Sequence, residues 1–203
     1  MIPHSSSTFA VQLGEWAFRQ RSWLPVPFAL MLVFVRYERV HGTWPVAVGA
    51  ALVLAGLSVR TWSVRHIGTI SRTRSHRLGP LIASGPYALV RNPLYEGNFL
   101  LWTGFVLLSR LLWLLPIAWV TFGAQYVAIA RWEQALLQAH FGKEYDEFAA
   151  RVPAWWPRWR ALNRSIVKAP RHPWPEVFFS ERGTLAAAAL MIVLLAISYL
   201  AWG

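Results

Sequence analysis

The sequence contains no cysteine among its 203 residues. Disulfide bonds, thiolate metal sites and cysteine nucleophiles are therefore excluded. Charged residues are also scarce, at 14% of the chain against about 25% in an average soluble domain. The scarcity falls on the acidic side, because 9 Asp and Glu accompany 20 Lys and Arg. The sequence has no Gly-x-Gly-x-x-Gly run, so a Rossmann-type dinucleotide site is not predicted.

Apolar residues take the place of the missing charge: they make up 56% of the chain and gather in long runs. A helix needs about 20 apolar residues to cross a bilayer core about 30 Å thick. We predict spans at residues 45–59 and 185–202, two more within residues 98–130, and a weaker one at residues 27–37. The weaker segment could instead be an interfacial helix, since it is short and two prolines lie near its start. The sequence thus predicts an all-α integral membrane protein with about five transmembrane helices.

Polar residues beside these runs predict where the helices turn. Ser109-Arg110 is the only strongly polar point between the two central spans, and it predicts the tight turn of a helical hairpin. Pro116 follows early in the second helix, where a proline can be tolerated or can kink the helix. Arg60 is expected to extend the span at residues 45–59 by reaching outward to the membrane surface.

Two long polar stretches, residues 60–91 and 131–182, join the spans and are rich in Lys and Arg. Five spans place both stretches on one side, and the positive-inside rule puts them and the N-terminus in the cytoplasm. The net charge of +11 fits anionic lipid headgroups better than nucleic acid, because the Arg residues lie between apolar runs. The N-terminal residues lack the apolar core of a signal peptide, so we expect them to be retained.

Residues 84–98, SGPYALVRNPLYEGN, form the densest unusual stretch, just before a predicted membrane helix. Pro93 suits the first turn of that helix, with Asn92 as its N-cap. Free N–H groups at the helix N-terminus could hold an anionic group, and Arg91 could bind a carboxylate through two hydrogen bonds. The alternative is a loop and a cap with an Arg that binds lipid headgroups.

A second cluster occupies residues 131–153, RWEQALLQAHFGKEYDEFAARVP. Glu133 directly follows a long apolar helix, where a carboxylate is costly unless it is paired or faces a polar cavity. Gly142 is typical of the residue after a helix C-terminus, and the apolar spacing from Tyr145 onward predicts a short new helix. Most of this periodic stripe is expected to be packing.

Together the two clusters resemble the signature of the isoprenylcysteine carboxyl methyltransferase and phospholipid methyltransferase superfamily, in its bacterial-type form. That signature runs Gly-Pro-Tyr, Arg-His/Asn-Pro, Tyr and Gly into a helical hairpin, and then continues with a Glu-rich element, Phe-Gly and Tyr. The matching residues lie between about 78 and 157 and are Gly85-Pro86-Tyr87, Arg91-Asn92-Pro93, Tyr95, Gly97, Glu133, Leu137, Phe141-Gly142, Tyr145, Val152-Pro153 and Pro157.

The resemblance implies a methyltransferase that uses S-adenosylmethionine and acts on a lipidic or prenylated substrate, with carboxyl O-methylation favoured. It implies cofactor-binding loops at the cytoplasmic face of a bacterial inner membrane and no metal, and it leaves the oligomeric state open. Arg91 and Glu133 are expected to carry catalysis, with Arg91 pairing with the cofactor carboxylate. The implied cofactor-binding residues are Gly85, Pro86, Tyr87, Arg91, Asn92, Pro93, Tyr95, Gly97, Asn98, Glu133 and Tyr145.

Two positions depart from the family pattern and keep alternatives open. Asn92 stands where eukaryotic relatives usually have His, and Asn cannot titrate near pH 7. The frequent Glu-Glu pair is Glu133-Gln134 here, which leaves one carboxylate. Both departures favour a non-catalytic lipid-binding membrane protein as one alternative. The other alternative is an NADPH-dependent steroid-type membrane reductase with a similar hairpin. Residues 133–145 argue against the reductase, because they resemble the methyltransferase pattern.

The chain is predicted to have three parts. Residues 1–77 form an N-terminal amphipathic segment with two membrane helices, and residues 78–157 form the methyltransferase core with its hairpin. Residues 158–203 hold an interfacial segment and the C-terminal membrane helix. The segment from Pro153 to Pro175 is rich in aromatic residues that favour the headgroup zone, as a peripheral segment or as a lid over a lipid entrance: Trp155, Trp156, Trp159 and Trp174.

Overall fold

The computed structural model describes residues 9–36, 40–68, 81–161 and 172–202. Within these ranges every regular element is helical, which confirms the predicted all-α fold. The α-helices are α1 Phe9–Arg19, α2 Val26–Phe34, α3 Trp44–Ile67, α4 Pro93–Ser109, α5 Leu115–Phe141, α6 Lys143–Arg151 and α7 Trp174–Trp202. Short 3₁₀ turns lie at Gly85–Ala88, Leu112–Leu114 and Trp159–Ala161.

Three helical segments are long and apolar enough to cross a membrane: Trp44–Ile67, Leu112–Phe141 and Trp174–Ala201. Helix α4 has 17 residues and α2 has 9. At 1.5 Å per residue, α2 is about 14 Å long, less than half of a bilayer core about 30 Å thick. Tyr37, the predicted end of that span, lies outside the described residues. The total of five spans and the cytoplasmic side of the loops stay predictions.

Two helices run further into the polar stretches than the sequence predicts. Helix α3 continues to Ile67, so residues 60–67 are helical and do not belong to a loop. Helix α7 begins at Trp174, well before the predicted start at residue 185. The charged residues there do not end the helices, because Arg60 and Glu181 face the interior and pair with each other. Residues 69–80 and 162–171, which belong to the two predicted polar stretches, lie outside the described residues.

The predicted hairpin turn at Ser109-Arg110 is confirmed. Helix α4 ends at Ser109, and Arg110 adopts a left-handed conformation with φ of 62°. The Ser109 hydroxyl accepts a hydrogen bond from the Leu111 amide at 3.3 Å, which stabilises the turn. Pro116 lies in the first turn of α5, where its missing N–H would have had no helical partner.

Helices α3 and α4 run antiparallel and pack through glycines. Gly49 lies opposite Gly104, and Gly56 lies opposite Gly97. A Cβ atom on Gly56 would stand 2.7 Å from the Gly97 carbonyl oxygen, and one on Gly104 would stand 2.8 Å from the Gly49 carbonyl oxygen. Small residues are the usual means of close helix packing in membranes. The two backbones therefore approach each other closely along this contact.

The remaining helices close around this pair. Helix α1 packs on α5, where the Phe18 and Trp132 rings lie 4.7 Å apart. Helix α7 is held to α2 by a hydrogen bond of 2.6 Å from the Ser198 hydroxyl to the Val33 carbonyl oxygen. The result is a bundle whose buried apolar core draws on α1, α2, α3, α4, α5 and α7.

The end of α5 follows the sequence prediction closely. The helix stops at Phe141, and Gly142 has a positive φ of 53°. The short helix α6 then packs on α5 through a small cluster of its own: Tyr145, Phe148 and Val152, with Leu81, Leu137, Phe141 and Ala149 against it. Most of the predicted stripe is thus packing, as expected.

Candidate functional site

A cavity of about 900 Å³ lies inside the bundle. Its polar part gathers the late turns of α3 and α5 and the early turns of α4 and α7, because these helix ends lie at one end of the antiparallel bundle. The side chains there are Arg21, Ser22, Arg60, Tyr87, Arg91, Asn92, Tyr95, Asn98, Glu133, Gln134, Tyr145, Glu181 and Thr184. An apolar part continues between α2, α4 and α7, lined by Val26, Ala29, Leu101, Trp102, Phe105, Ala188, Met191 and Leu194.

The stretch before α4 is fixed by close packing and backbone hydrogen bonds. Gly85 has a φ of 59°, and a Cβ atom there would collide with the His66 imidazole. The Arg91 amide donates to the Pro153 carbonyl oxygen at 2.9 Å, and the Arg158 amide donates to the Leu89 carbonyl oxygen at 3.0 Å. The segment after α6 therefore holds the loop that carries Arg91.

Asn92 occupies the predicted N-cap position of α4, but its side chain does not cap the helix. Its amide group instead donates to the Ala154 carbonyl oxygen at 2.9 Å. This third bond between the loop and the segment after α6 replaces the expected cap. The pattern of the sequence could not reveal it, because the partner lies 62 residues further along the chain.

The two sequence clusters meet at Tyr95 and Glu133. The Tyr95 hydroxyl, on the first turn of α4, donates to Glu133 Oε1 on α5 at 2.8 Å. The Tyr95 ring also stacks on the Tyr126 ring, with centroids 5.4 Å apart and planes inclined by 20°. A carboxylate at this position is costly unless it is paired or faces a polar cavity. Glu133 meets both conditions, because it accepts a hydrogen bond from Tyr95 and lines the cavity.

Arg91 and Tyr145 form a second link between the clusters. The Arg91 Nη1 group donates to the Tyr145 hydroxyl at 3.3 Å. Arg91 Nε and the Tyr87 hydroxyl are both buried and have no hydrogen-bond partner among the described residues. Burial raises the pKa of the Tyr87 phenol, so it stays protonated and able to donate. Buried polar atoms normally have partners, so these two are suited to a ligand in the cavity.

The structure brings eight of the eleven predicted site residues to the cavity: Tyr87, Arg91, Asn92, Pro93, Tyr95, Asn98, Glu133 and Tyr145. Gly85, Pro86 and Gly97 do not line it. Gly85 makes room for His66, and Gly97 makes room for α3 and the Arg60 side chain. These glycines support the site through backbone packing.

Sequence reasoning missed the other polar wall of the cavity. Arg60, on α3, was expected at the membrane surface, but its side chain is only 11% exposed. It forms a forked ion pair with Glu181 on α7, with N–O distances of 2.9 Å from Nε and Nη2. Because an acidic partner lies within reach inside the bundle, the guanidinium is paired there and does not extend to the membrane surface. The available signal was an Arg and a Glu at the margins of two apolar runs.

Comparison with known families gives a match that covers about half of the chain. Residues 44–144 match the model of the phospholipid methyltransferase family. No solved structure shows a significant match to the chain. The matched stretch begins at α3 and ends just inside α6, and it includes both sequence clusters up to Glu144.

Two curated relatives are named as metal resistance proteins. The cobalt-zinc-cadmium resistance protein CzcN of Cupriavidus metallidurans is 31% identical over 151 residues, which are 72% of this chain and 64% of the relative. The nickel-cobalt-cadmium resistance protein NccN of Alcaligenes xylosoxydans xylosoxydans is 30% identical over 134 residues, which are 66% of this chain and 61% of the relative. The similarity thus spans less than two thirds of either relative.

Proposed function

Because residues 44–144 belong to the phospholipid methyltransferase family, we propose that the chain is an S-adenosylmethionine-dependent membrane methyltransferase with a lipidic acceptor, at the cytoplasmic membrane face. The observation that carries the proposal is the hydrogen bond of 2.8 Å between Tyr95 and Glu133. It joins the two halves of the family signature on the wall of a cavity that has both a polar and an apolar part.

The residues of the polar part fit the cofactor. Arg91 has a buried Nε without a partner among the described residues and can bind the cofactor carboxylate. The Tyr87 hydroxyl offers a further buried donor. Glu133 can receive the amino group, and the stacked rings of Tyr95 and Tyr126 offer the aromatic faces that favour a cation. When bound, S-adenosylmethionine supplies a methyl group already activated by its sulfonium.

The protein's own task is then alignment and exclusion of water. The ties from Arg91 and Asn92 to the segment after α6 hold the loop in place, and the Tyr95 hydroxyl orients the Glu133 carboxylate. Correct placement of two reactants can remove about 7–11 kcal/mol of a barrier. The apolar part would receive the chain of the acceptor, and the polar end of the acceptor would lie in the polar part of the cavity.

Carboxyl O-methylation is the favoured reaction within this proposal. A carboxylate acceptor is already nucleophilic and needs no base, whereas an amine acceptor needs one. Glu133 is the carboxylate of the predicted site that could serve as that base. The hydrogen bond from Tyr95 occupies one oxygen of the Glu133 carboxylate. Glu133 is therefore suited to orient a bound group as much as to accept a proton.

The names of the two relatives add a setting to the proposal. We propose that this chain also contributes to metal resistance, through the product that it methylates. Within the described part of the chain, no three His, Asp or Glu residues form a group that could hold a metal ion. Metal tolerance of cells that express the wild type or Arg91→Ala would test this: equal tolerance in the two strains overturns the link.

The decisive experiment is ligand binding by the purified full-length protein. We expect S-adenosylhomocysteine to raise the Tm and to give a saturable calorimetric titration, while NADPH does neither. Labelled S-adenosylmethionine with a lipid extract should then yield a labelled lipid that identifies the acceptor. Stabilisation by NADPH alone would favour a reductase. Absence of binding by either would favour a non-catalytic lipid-binding protein.

A further inference from the structure

Glu181 lies on α7, beyond the matched stretch 44–144, yet it lines the same cavity as Tyr95 and Glu133. Its side chain is 1% exposed, and its partner Arg60 is 11% exposed. Burying such a pair is costly, and replacement by apolar residues of similar size is often neutral for stability. Fold stability alone is therefore a poor reason for this pair, and its place beside the cavity favours a role in the site.

The hydrogen bonds of Arg60 show what that role is. A guanidinium has five N–H donors. Nε and one Nη2 donor bind Glu181, and the other Nη2 donor reaches Thr184 Oγ1 at 3.3 Å. The Nη1 donors reach Asn98 Oδ1 at 2.6 Å and, more weakly, the Leu94 carbonyl oxygen at 3.5 Å. No donor is left for a ligand, so Arg60 acts on the protein and not on an anionic substrate.

The two Nη1 partners flank Tyr95 on α4. Leu94 precedes it, and Asn98 lies about one turn later. Gly97 lets the Arg60 side chain cross this turn, because a Cβ atom there would stand 2.6 Å from Arg60 Cγ. Arg60 thus connects Glu181 on α7 to the residues on either side of Tyr95 on α4.

We propose that Glu181 is a positioning residue of the methyl-transfer site. Glu181 holds the Arg60 guanidinium in place, and Arg60 in turn fixes the position of the first turns of α4. Tyr95 is thereby kept within hydrogen-bond distance of Glu133, and α7 becomes part of the site. This inference rests on the proposed function, since it concerns the placement of the cofactor-binding wall. It assigns a role to a helix that the family match does not reach.

The test removes both charges together. In Arg60→Met/Glu181→Leu, neither partner is left as a lone buried charge, so we expect a Tm equal to or above that of the wild type. The Kd for S-adenosylhomocysteine should nevertheless rise about 10- to 100-fold, because small misplacements of a preorganised site are costly. Arg182→Gln is the matched control, since Arg182 is exposed beside Glu181 and binds the Phe179 carbonyl oxygen. It should leave the Kd unchanged.

A second variant keeps the inference testable if the paired variant does not fold. Arg60→Lys retains the charge and can pair with Glu181, but it lacks the fork that serves Asn98 at the same time. We expect its Kd to lie between those of the wild type and the paired variant. A wild-type Kd in either folded variant overturns the positioning role while the proposed function stands. Failure of the wild type to bind S-adenosylhomocysteine overturns both.

Discussion

The Tyr95 hydroxyl and the Glu133 carboxylate lie 2.8 Å apart, across the interface of α4 and α5. The two residues come from sequence clusters separated by the whole helical hairpin. The hydrogen bond fixes the orientation of the carboxylate, and the stacking of Tyr95 on Tyr126 fixes the ring that donates it. The position of Glu133 in the cavity therefore depends on Tyr95.

Removal of this hydroxyl should weaken the site without unfolding the protein. We expect Tyr95→Phe to reduce the methyl-transfer rate or S-adenosylhomocysteine affinity about 10-fold, a typical loss when an orienting partner is deleted. Tyr199→Phe is a matched control, because Tyr199 packs its ring against Arg110 at the far end of α7 and does not line the cavity. Equal losses in both variants would argue against a specific role for Tyr95.

Loss of either principal charge should abolish cofactor binding or turnover with folding intact. Arg91→Ala removes the guanidinium that faces the cavity, and Glu133→Gln removes the carboxylate while it keeps the side-chain shape. Calorimetric titration with S-adenosylhomocysteine and a thermal unfolding curve measure the two properties separately. Wild-type affinity in both variants would contradict the site assignment.

Tyr87→Phe should preserve the stability of the free protein but reduce its stabilisation by S-adenosylhomocysteine. The Tyr87 hydroxyl is buried without a partner among the described residues, so its removal should not lower the Tm of the free protein. We expect the free energy of unfolding to rise by about 1 kcal/mol, because a buried hydroxyl without a partner is removed. The further rise in Tm on adding S-adenosylhomocysteine should shrink, because the ligand loses a donor. An unchanged ligand-induced shift would show that this hydroxyl does not contact the cofactor.

The glycine contact of α3 and α4 gives a stability prediction. A Cβ atom on Gly56 would stand 2.7 Å from a backbone oxygen of α4, so Gly56→Ala must move the helices apart. We expect it to lower the free energy of unfolding by about 1–3 kcal/mol. Gly123→Ala is the control: nothing lies within 4 Å of its added Cβ, and the higher helix propensity should leave stability equal or improved. Thermal unfolding in detergent compares the two.

Sequence reasoning succeeded where local chemistry decides the structure. The polar pair at Ser109-Arg110 between two apolar runs fixed the hairpin turn, and Gly142 fixed the end of α5. Both depend on near neighbours in the chain. The short helix after Gly142 followed from apolar spacing alone.

The errors arose where the partner of a residue lies far along the chain. Arg60 was expected at the membrane surface because its acidic partner, 121 residues away, is not visible in a local pattern. Asn92 was expected to cap α4 for the same reason, although Ala154 takes its amide. The contact of Gly97 with the Arg60 side chain is likewise invisible in a local pattern. Such contacts follow from the packing of helices and cannot be derived from residue spacing.

The backbone bonds from Arg91 to Pro153 and from Arg158 to Leu89 bear on the design of chimaeras between relatives. A recombinant that exchanges only residues 44–144 would transplant one half of these bonds and leave the other half to a foreign segment. The same exchange would separate Arg60 from the Glu181 that accompanies it. Any portable unit is therefore discontinuous: besides α3 to residue 158, it must include the first turns of α7.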